Sequence, residues 1–194
     1  MQEAVPPFQG GMAAVIGLPH EKVAEVCQAN SEKETVSPAN YNSPEQTVIG
    51  GDKETLQTAM GALKEAGAKR VIELSVSAPF HTPYMKPAEE GMRTVLTNLP
   101  FSSPKFPILR NIDGEPADSG DRIREGLIRQ VTNPVQWVRI MERLLKEQID
   151  FFLEMGPGKV LCGLLKRMDK KAKCISIEND QGLTVALEEL NGSA

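Results

Sequence analysis

Cysteine is scarce in this sequence and its spacing suits no familiar site. Cys27, Cys162 and Cys174 are odd in number and widely separated, and none belongs to a Cys-x-x-Cys pair. Neither a disulfide framework nor a zinc site is therefore expected, and the expected compartment is reducing and cytoplasmic. There is no excess of positive charge: 22 basic against 26 acidic residues give a net charge of -4. Bulk electrostatics thus argue against a nucleic-acid or membrane partner. No apolar run reaches membrane-spanning length, and residues 1–6 show neither the basic start nor the apolar stretch of a secretory signal. A nucleotide cradle is missing too. Gly156-Pro157-Gly158-Lys159 lacks the spacer of a P-loop, and Val160 stands where Ser or Thr is needed. What remains is ordinary: 194 residues with 40% hydrophobic content, enough for one domain or two small ones.

Hydrophobic periodicity organises the first part of the chain. Residues 12–18 form an apolar run of strand length, and 19–29 place Val23, Val26 and Cys27 at helical spacing behind Pro19. Two short β-branched runs follow at 36–39 and 47–49, and Gly50-Gly51 reads as a turn. Asp52 is placed to cap a helix over 53–66, where Leu56, Ala59, Met60 and Leu63 share a face and Gly67 ends it. Residues 71–76 give a fourth strand. The order β-α-β-β-α-β is that of a ferredoxin-like module.

Downstream, Met85, Ala88, Met92, Val95, Leu96 and Leu99 keep helical spacing up to Pro100, a stripe better suited to core than to ligand binding. A strand over 107–112 ends at Asp113-Gly114, and helices are expected over 122–131 and 134–146, with Trp137 as a packing anchor. An apolar strand at 149–155, a helix at 159–168, a strand at 173–177 and a closing helix at 183–190 complete the pattern. Alternation of this kind fits an α/β domain with a largely parallel sheet.

Between the two halves lies Val76-Ser77-Ala78-Pro79-Phe80-His81-Thr82-Pro83-Tyr84-Met85-Lys86-Pro87. A strand ends, a proline stops the ladder, and a histidine follows on the connection to a helix. Such a connection can carry a histidine with no task, but it is also where scaffolds hold reactive side chains open to substrate. His81 is one of two histidines in the chain, and imidazole is the commonest general base.

Ser77-Ala78-Pro79-Phe80-His81 with Met85-Lys86-Pro87 resembles the histidine motif of the malonyl-CoA:acyl carrier protein transacylases. Residues 1–6, 37–44, 67–70, 129–130, 133–137 and 154–161 also resemble segments of that family, in family order. The resemblance spans nearly the whole chain. It implies a ferredoxin-like small subdomain at 12–76 between a connector at 1–11 and the second half of an α/β-hydrolase-like large domain at 77–194. It also implies malonyl transfer from malonyl-CoA to the phosphopantetheine thiol of acyl carrier protein, in fatty-acid synthesis and without a covalently bound cofactor.

The family forms an acyl-serine intermediate in two steps. His81 matches its general acid/base, and Gln130 the residue whose main-chain carbonyl holds the imidazole in its working tautomer. Asn42 matches a residue lining the acyl pocket; its bland alternative, with Asn40 and Gln46, is a cluster of turn amides. Phe80 resembles the bulky choice of malonyl-selective members, where a ring crowds an α-methyl branch. Arg70, Lys166 and Arg167 match a basic rim that receives the acidic carrier protein, although basic pairs at element ends are commonly solvated. The family's Gly-x-Ser-x-Gly nucleophile elbow occurs nowhere in these residues. The expectation is a chain equivalent to the C-terminal two thirds of the enzyme and nearly inactive alone. The alternatives are a non-catalytic module that docks carrier protein, and the acyltransferase of a polyketide synthase.

Overall fold

The structure, a computed structural model, describes residues 9–31, 35–149 and 151–192. Most of the connector expected at 1–11, and the family-like segment 1–6, lie outside them. The chain divides into two compact units, 1–140 and 141–194. Its architecture is α/β.

The first unit is built on a four-stranded antiparallel sheet, comprising β1 (Gly10–Ile16), β2 (Val36–Ser43), β3 (Gln46–Asp52) and β4 (Arg70–Glu73), in the order β2-β3-β1-β4. Helices α1 (His20–Ala29) and α2 (Lys53–Glu65) pack against one face. There Ala13, Val15 and Ile49 meet Val23, Cys27, Leu56, Ala59 and Leu63 in a continuous core. Met12, Ala14, Ala39 and Val48 point to the other face and are covered by Leu74 and Phe80. β1 is therefore buried on both sides, which is why it reads as an unbroken apolar run rather than an alternation. Asp52 caps α2 by accepting from the Thr55 amide at 3.0 Å, and Gly67 ends it at φ +99°, as expected from sequence.

Gly50 and Gly51 do not form a turn. Both lie in β3, and the hairpin turns instead at Pro44-Glu45. Close approach explains their identity: a Cβ on Gly51 would stand 2.0 Å from the Thr35 carbonyl oxygen, and one on Gly50 would press on Thr82 at 3.2 Å.

After β4 the chain crosses the second face of the sheet, passes through a 3-10 turn (Pro83–Met85) and enters α3 (Lys86–Thr97). β5 (Ile108–Leu109) and β6 (Pro116–Ala117) then pair antiparallel, so the strand at 107–112 forms a small hairpin and not part of a parallel sheet. Helix α4 (Gly120–Arg129) is capped by the Ser119 side chain. Helix α5 (Trp137–Lys146) begins three residues later than its pattern suggested. Val135 is drawn into extended pairing with β2: its amide donates to Ala39 and its carbonyl accepts from Tyr41, both at 2.9 Å.

The second unit contains parallel strands β7 (Phe152–Met155) and β8 (Cys174–Ile177), with α6 (Val160–Met168) between them in sequence and α7 (Asp180–Gly192) at the end. The expectation of no disulfide fails here. Cys162 and Cys174 are bonded, their Cα atoms 5.4 Å apart. Their separation of 12 residues hides the reason: the helical return from β7 to β8 lays Cys162 over the start of β8.

Candidate active site

His81 is held by its backbone before its side chain does anything. The preceding strap is locked by hydrogen bonds from the Phe80 amide to the Ala78 carbonyl at 3.0 Å and from the Thr82 hydroxyl to the Pro79 carbonyl at 2.6 Å. Thr82 is fully buried, and Gly10 leaves room for the Pro79 ring, which a Cβ there would meet at 2.4 Å. Between these anchors His81 adopts φ 61°, left-handed backbone that a residue with a Cβ rarely visits. Strain of this kind costs about 1–3 kcal/mol and persists only where the surroundings impose it.

The ring reaches across to α4. Its Nδ1 lies 2.6 Å from the main-chain oxygen of Gln130, the residue that ends the helix. A carbonyl oxygen can only accept, so Nδ1 carries a proton, and in the neutral ring Nε2 then keeps its lone pair. The result is an imidazole poised to accept a proton on its outer nitrogen. The partner is also one of the last carbonyls of a helix, which have no acceptor role left within it.

Gln130 is anchored in turn. Its side-chain Oε1 accepts from Asn111 Nδ2 at 2.9 Å, so the side chain positions the residue while the backbone touches the histidine. Two residues on, the Thr132 hydroxyl donates to Glu89 on α3. Glu89 is buried and also takes Lys86 at 2.8 Å and Arg93 at 3.3 Å. Burial pushes its carboxyl up, but the hydrogen bonds from Lys86, Thr132 and Arg93 prevail and hold it below the ordinary carboxylate range. Asn111, Thr132 and Glu89 were not singled out from sequence. Lys86, Glu89 and Arg93 stand at the spacing of ion pairs along a helix, whereas the reach to Thr132 has no local signature.

Phe80, immediately before His81, is half-buried and packs against two clusters, one of Met12, Ala14, Ala39 and Val48 and one of Ala78, Met85 and Val131. Asn42 lies in β2 beside an irregularity between Tyr41 and Ser43, and not in a free loop. Its strand is tied through Tyr41 and Ala39 to Val135, on the segment that follows Gln130. Arg70 opens β4 in the first unit, while Lys166 and Arg167 lie in the last turn of α6 in the second; all three are exposed. The start of α6 offers no free amides at Leu161 and Cys162, because the Glu154 carboxylate accepts from both, at 3.0 and 2.8 Å. Glu154 also lies near the sulfurs of Cys162 and Cys174, but these are committed to each other.

The second histidine has a structural setting. His20 opens α1, with Nδ1 2.8 Å from the Thr47 hydroxyl and its ring edge-on to Tyr41. A cavity of about 470 Å³ opens between α1, the start of β2 and the segment after Gln130, lined in part by Cys27, Ser37, Pro83 and Thr132. Burial pushes the Cys27 thiol up to about 12, so it faces this cavity as a neutral group.

Comparison with known proteins places this geometry. The acyl transferase domain pattern matches residues 1–181. The chain belongs to the acyl transferase domain family. Within the family it is similar to the malonyl CoA-acyl carrier protein transacylase of Escherichia coli K12, 42% identical over 188 residues, covering 97% of this chain and 61% of that protein. It is also similar to the enzyme of that name from Staphylococcus aureus MSSA476, 37% identical over 179 residues, 92% of this chain and 58% of the relative. Among solved structures, an acyl carrier protein S-malonyltransferase from Vibrio cholerae superposes with TM-score 0.93 at 40% identity, over 96% of this chain and 61% of that one. A malonyl-transacylase solved in complex with a type II PKS acyl-carrier protein superposes at 0.94 with 40% identity, covering 97% of this chain and 61% of its own. The chain thus spans 58–61% of the length of these relatives. No helix among the described residues is long and apolar enough to cross a membrane.

Proposed function

We propose that this chain supplies the acid-base half of a malonyl-transfer site, acting between malonyl-CoA and the phosphopantetheine thiol of acyl carrier protein in fatty-acid synthesis. The observation that carries the reading is the hydrogen bond from His81 Nδ1 to the Gln130 carbonyl, which frees Nε2 for proton transfer, in a chain of the acyl transferase family. In the first half-reaction Nε2 takes the proton of a serine hydroxyl as that oxygen attacks the thioester carbonyl. The proton passes to the departing coenzyme A thiolate. In the second half Nε2 takes the proton of the carrier's thiol, which attacks the acyl-serine ester, and returns it to the serine. A placed acid-base group contributes about 10²- to 10⁴-fold to such steps.

Phe80 fits the role of a wall beside the acyl group, and Asn42 that of a polar contact on β2. Arg70 on the first unit, and separately the Lys166-Arg167 pair on the second, fit exposed charges that an acidic carrier would meet, where charge acts chiefly on encounter rate. The antiparallel order β2-β3-β1-β4 with two helices on one face supports a ferredoxin-like subdomain over 12–76, with 77–194 as part of an α/β-hydrolase-like large domain. A cytoplasmic location follows from the same reading. The absence of Gly-x-Ser-x-Gly from these residues leaves the serine to be supplied from outside them, and the chain alone is nearly inactive, with turnover reduced by roughly 10⁶.

The test joins the part of the Escherichia coli relative that this chain does not cover to this chain and follows malonyl transfer to acyl carrier protein. Transfer by the folded chimera, reduced about 10²- to 10⁴-fold by His81→Ala, is the expected result. A folded chimera that transfers equally well with and without His81 overturns the reading. Binding of carrier protein without transfer would favour the non-catalytic module instead.

A further inference from the structure

We propose that Glu89 and Thr132 are positioning residues for His81, fixing the end of α4 so that the Gln130 carbonyl stays against the imidazole Nδ1. The inference rests on the acid-base reading of His81 given above. His81 and its acceptor come from stretches 49 residues apart. His81 leads through the 3-10 turn into α3, and Gln130 ends α4. Helix ends fray, because their last carbonyls have no partner inside the helix. A base oriented by such a carbonyl is only as well placed as the helix end itself.

Glu89 joins the two stretches. It lies on α3, the helix that starts five residues after His81, and its carboxylate accepts from the Thr132 hydroxyl just beyond Gln130. Asn133 tightens the same turn, its Nδ2 donating to the Arg129 carbonyl at 2.8 Å and to the Thr132 hydroxyl at 3.3 Å. On the other flank Asn111 holds the Gln130 side chain. The carbonyl is thus pinned from both sides. A carboxylate 5% exposed is costly to keep unless fully satisfied, and Glu89 is satisfied by Lys86, Arg93 and Thr132 together. Helix pairing within α3 explains the first two partners but not the third, which spans 43 residues and serves the neighbourhood of Gln130.

The consequence concerns which ring nitrogen carries the proton. With Gln130 in place the neutral ring holds its proton on Nδ1, leaving Nε2 to act as base. When the helix end is released, the Nε2–H form gains population, and that form has no lone pair where the hydroxyl or thiol proton must go. Glu89 and Thr132 touch no substrate in this scheme and act through Gln130.

The experiment uses the 194-residue chain with ¹⁵N-labelled histidine, in mildly alkaline buffer. Two histidines give two sets of ring signals, assigned by His81→Gln. His20, bonded to Thr47, is the internal reference. Thr132→Val is expected to lower the His81 ratio of Nδ1–H to Nε2–H by about 5-fold, the equivalent of about 1 kcal/mol or one neutral hydrogen bond. His20 stays as it was, and Thr132→Ser restores the His81 signature. An unchanged ratio in Thr132→Val overturns the proposal, as does a change that Thr132→Ser fails to reverse. If both rings of Thr132→Val look unfolded, Glu89→Gln decides: a shift in the same direction supports the clamp and an unchanged ring overturns it. No acyl donor enters the measurement, so a shifted tautomer alongside a chimera that ignores His81 would keep the clamp and remove the transferase reading.

Discussion

The imidazole of His81 donates from Nδ1 to the main-chain oxygen of Gln130 at 2.6 Å, while the Gln130 side chain faces Asn111. Backbone and side chain of one residue therefore serve different partners. In the chimeric enzyme, Gln130→Ala should lower kcat/KM by less than about tenfold, since the carbonyl stays and one neutral hydrogen bond of about 1 kcal/mol is lost. His81→Ala in the same assay should lose about 10²- to 10⁴-fold. Equal losses would mean that the amide, not the carbonyl, orients the ring.

Two glycine substitutions should have opposite signs. Gly51→Ala drives a Cβ to 2.0 Å from the Thr35 carbonyl oxygen, backbone that cannot step aside, and should destabilise the first unit by several kcal/mol, on the order of a severe overpacking. Gly91→Ala lies inside α3 with nothing within 4 Å of the new atom, and should stabilise by about 0.5–1 kcal/mol. Urea unfolding of both variants checks the pair.

Thiol counting tests the second unit. Denatured without reductant, the chain should expose one reactive thiol, Cys27, and after reduction all three. In the folded chain Cys27 should alkylate very slowly, because it is buried and its pKa is raised to about 12. Reductant should weaken the second unit by about 2–4 kcal/mol, read as an earlier transition in thermal unfolding.

Acid stability should depend on Asp52. The Thr55 amide holds its carboxyl below the ordinary carboxylate value against a smaller opposing effect of burial, helped by the Thr55 hydroxyl and neighbouring amides. A depressed folded pKa means that the unfolded chain binds the proton more readily. The contribution is therefore present above the ordinary value and fades as pH falls through the lowered one. Asp52→Asn should flatten the fall of unfolding free energy in that acidic window, and an equally steep fall would remove Asp52 from the account.

Periodicity made the first sheet legible because each of its helices shows one apolar face and β1 is apolar on both. It could not show that Gly50-Gly51 belongs in a strand, since a glycine required by a neighbouring carbonyl looks the same in sequence as one required by a turn. Pro134-Val135-Gln136 carries a helical pattern, yet its backbone is recruited by the edge of β2, a tertiary choice overriding local preference. The disulfide escaped notice because spacing says nothing of where a returning strand will lie. His81 and Gln130 were found as candidates, whereas Asn111, Glu89 and Thr132 were not, because a network that closes across 43 residues leaves no local mark.

β2 is an outer strand of its sheet, and the two hydrogen bonds it exchanges with Val135 shield part of a row of backbone groups that would otherwise be open to any other extended chain. A fragment cut after residue 76 would keep all four strands and both helices of the sheet but lose that shield. Such a piece should self-associate through its bared border at concentrations where the intact polypeptide stays dispersed.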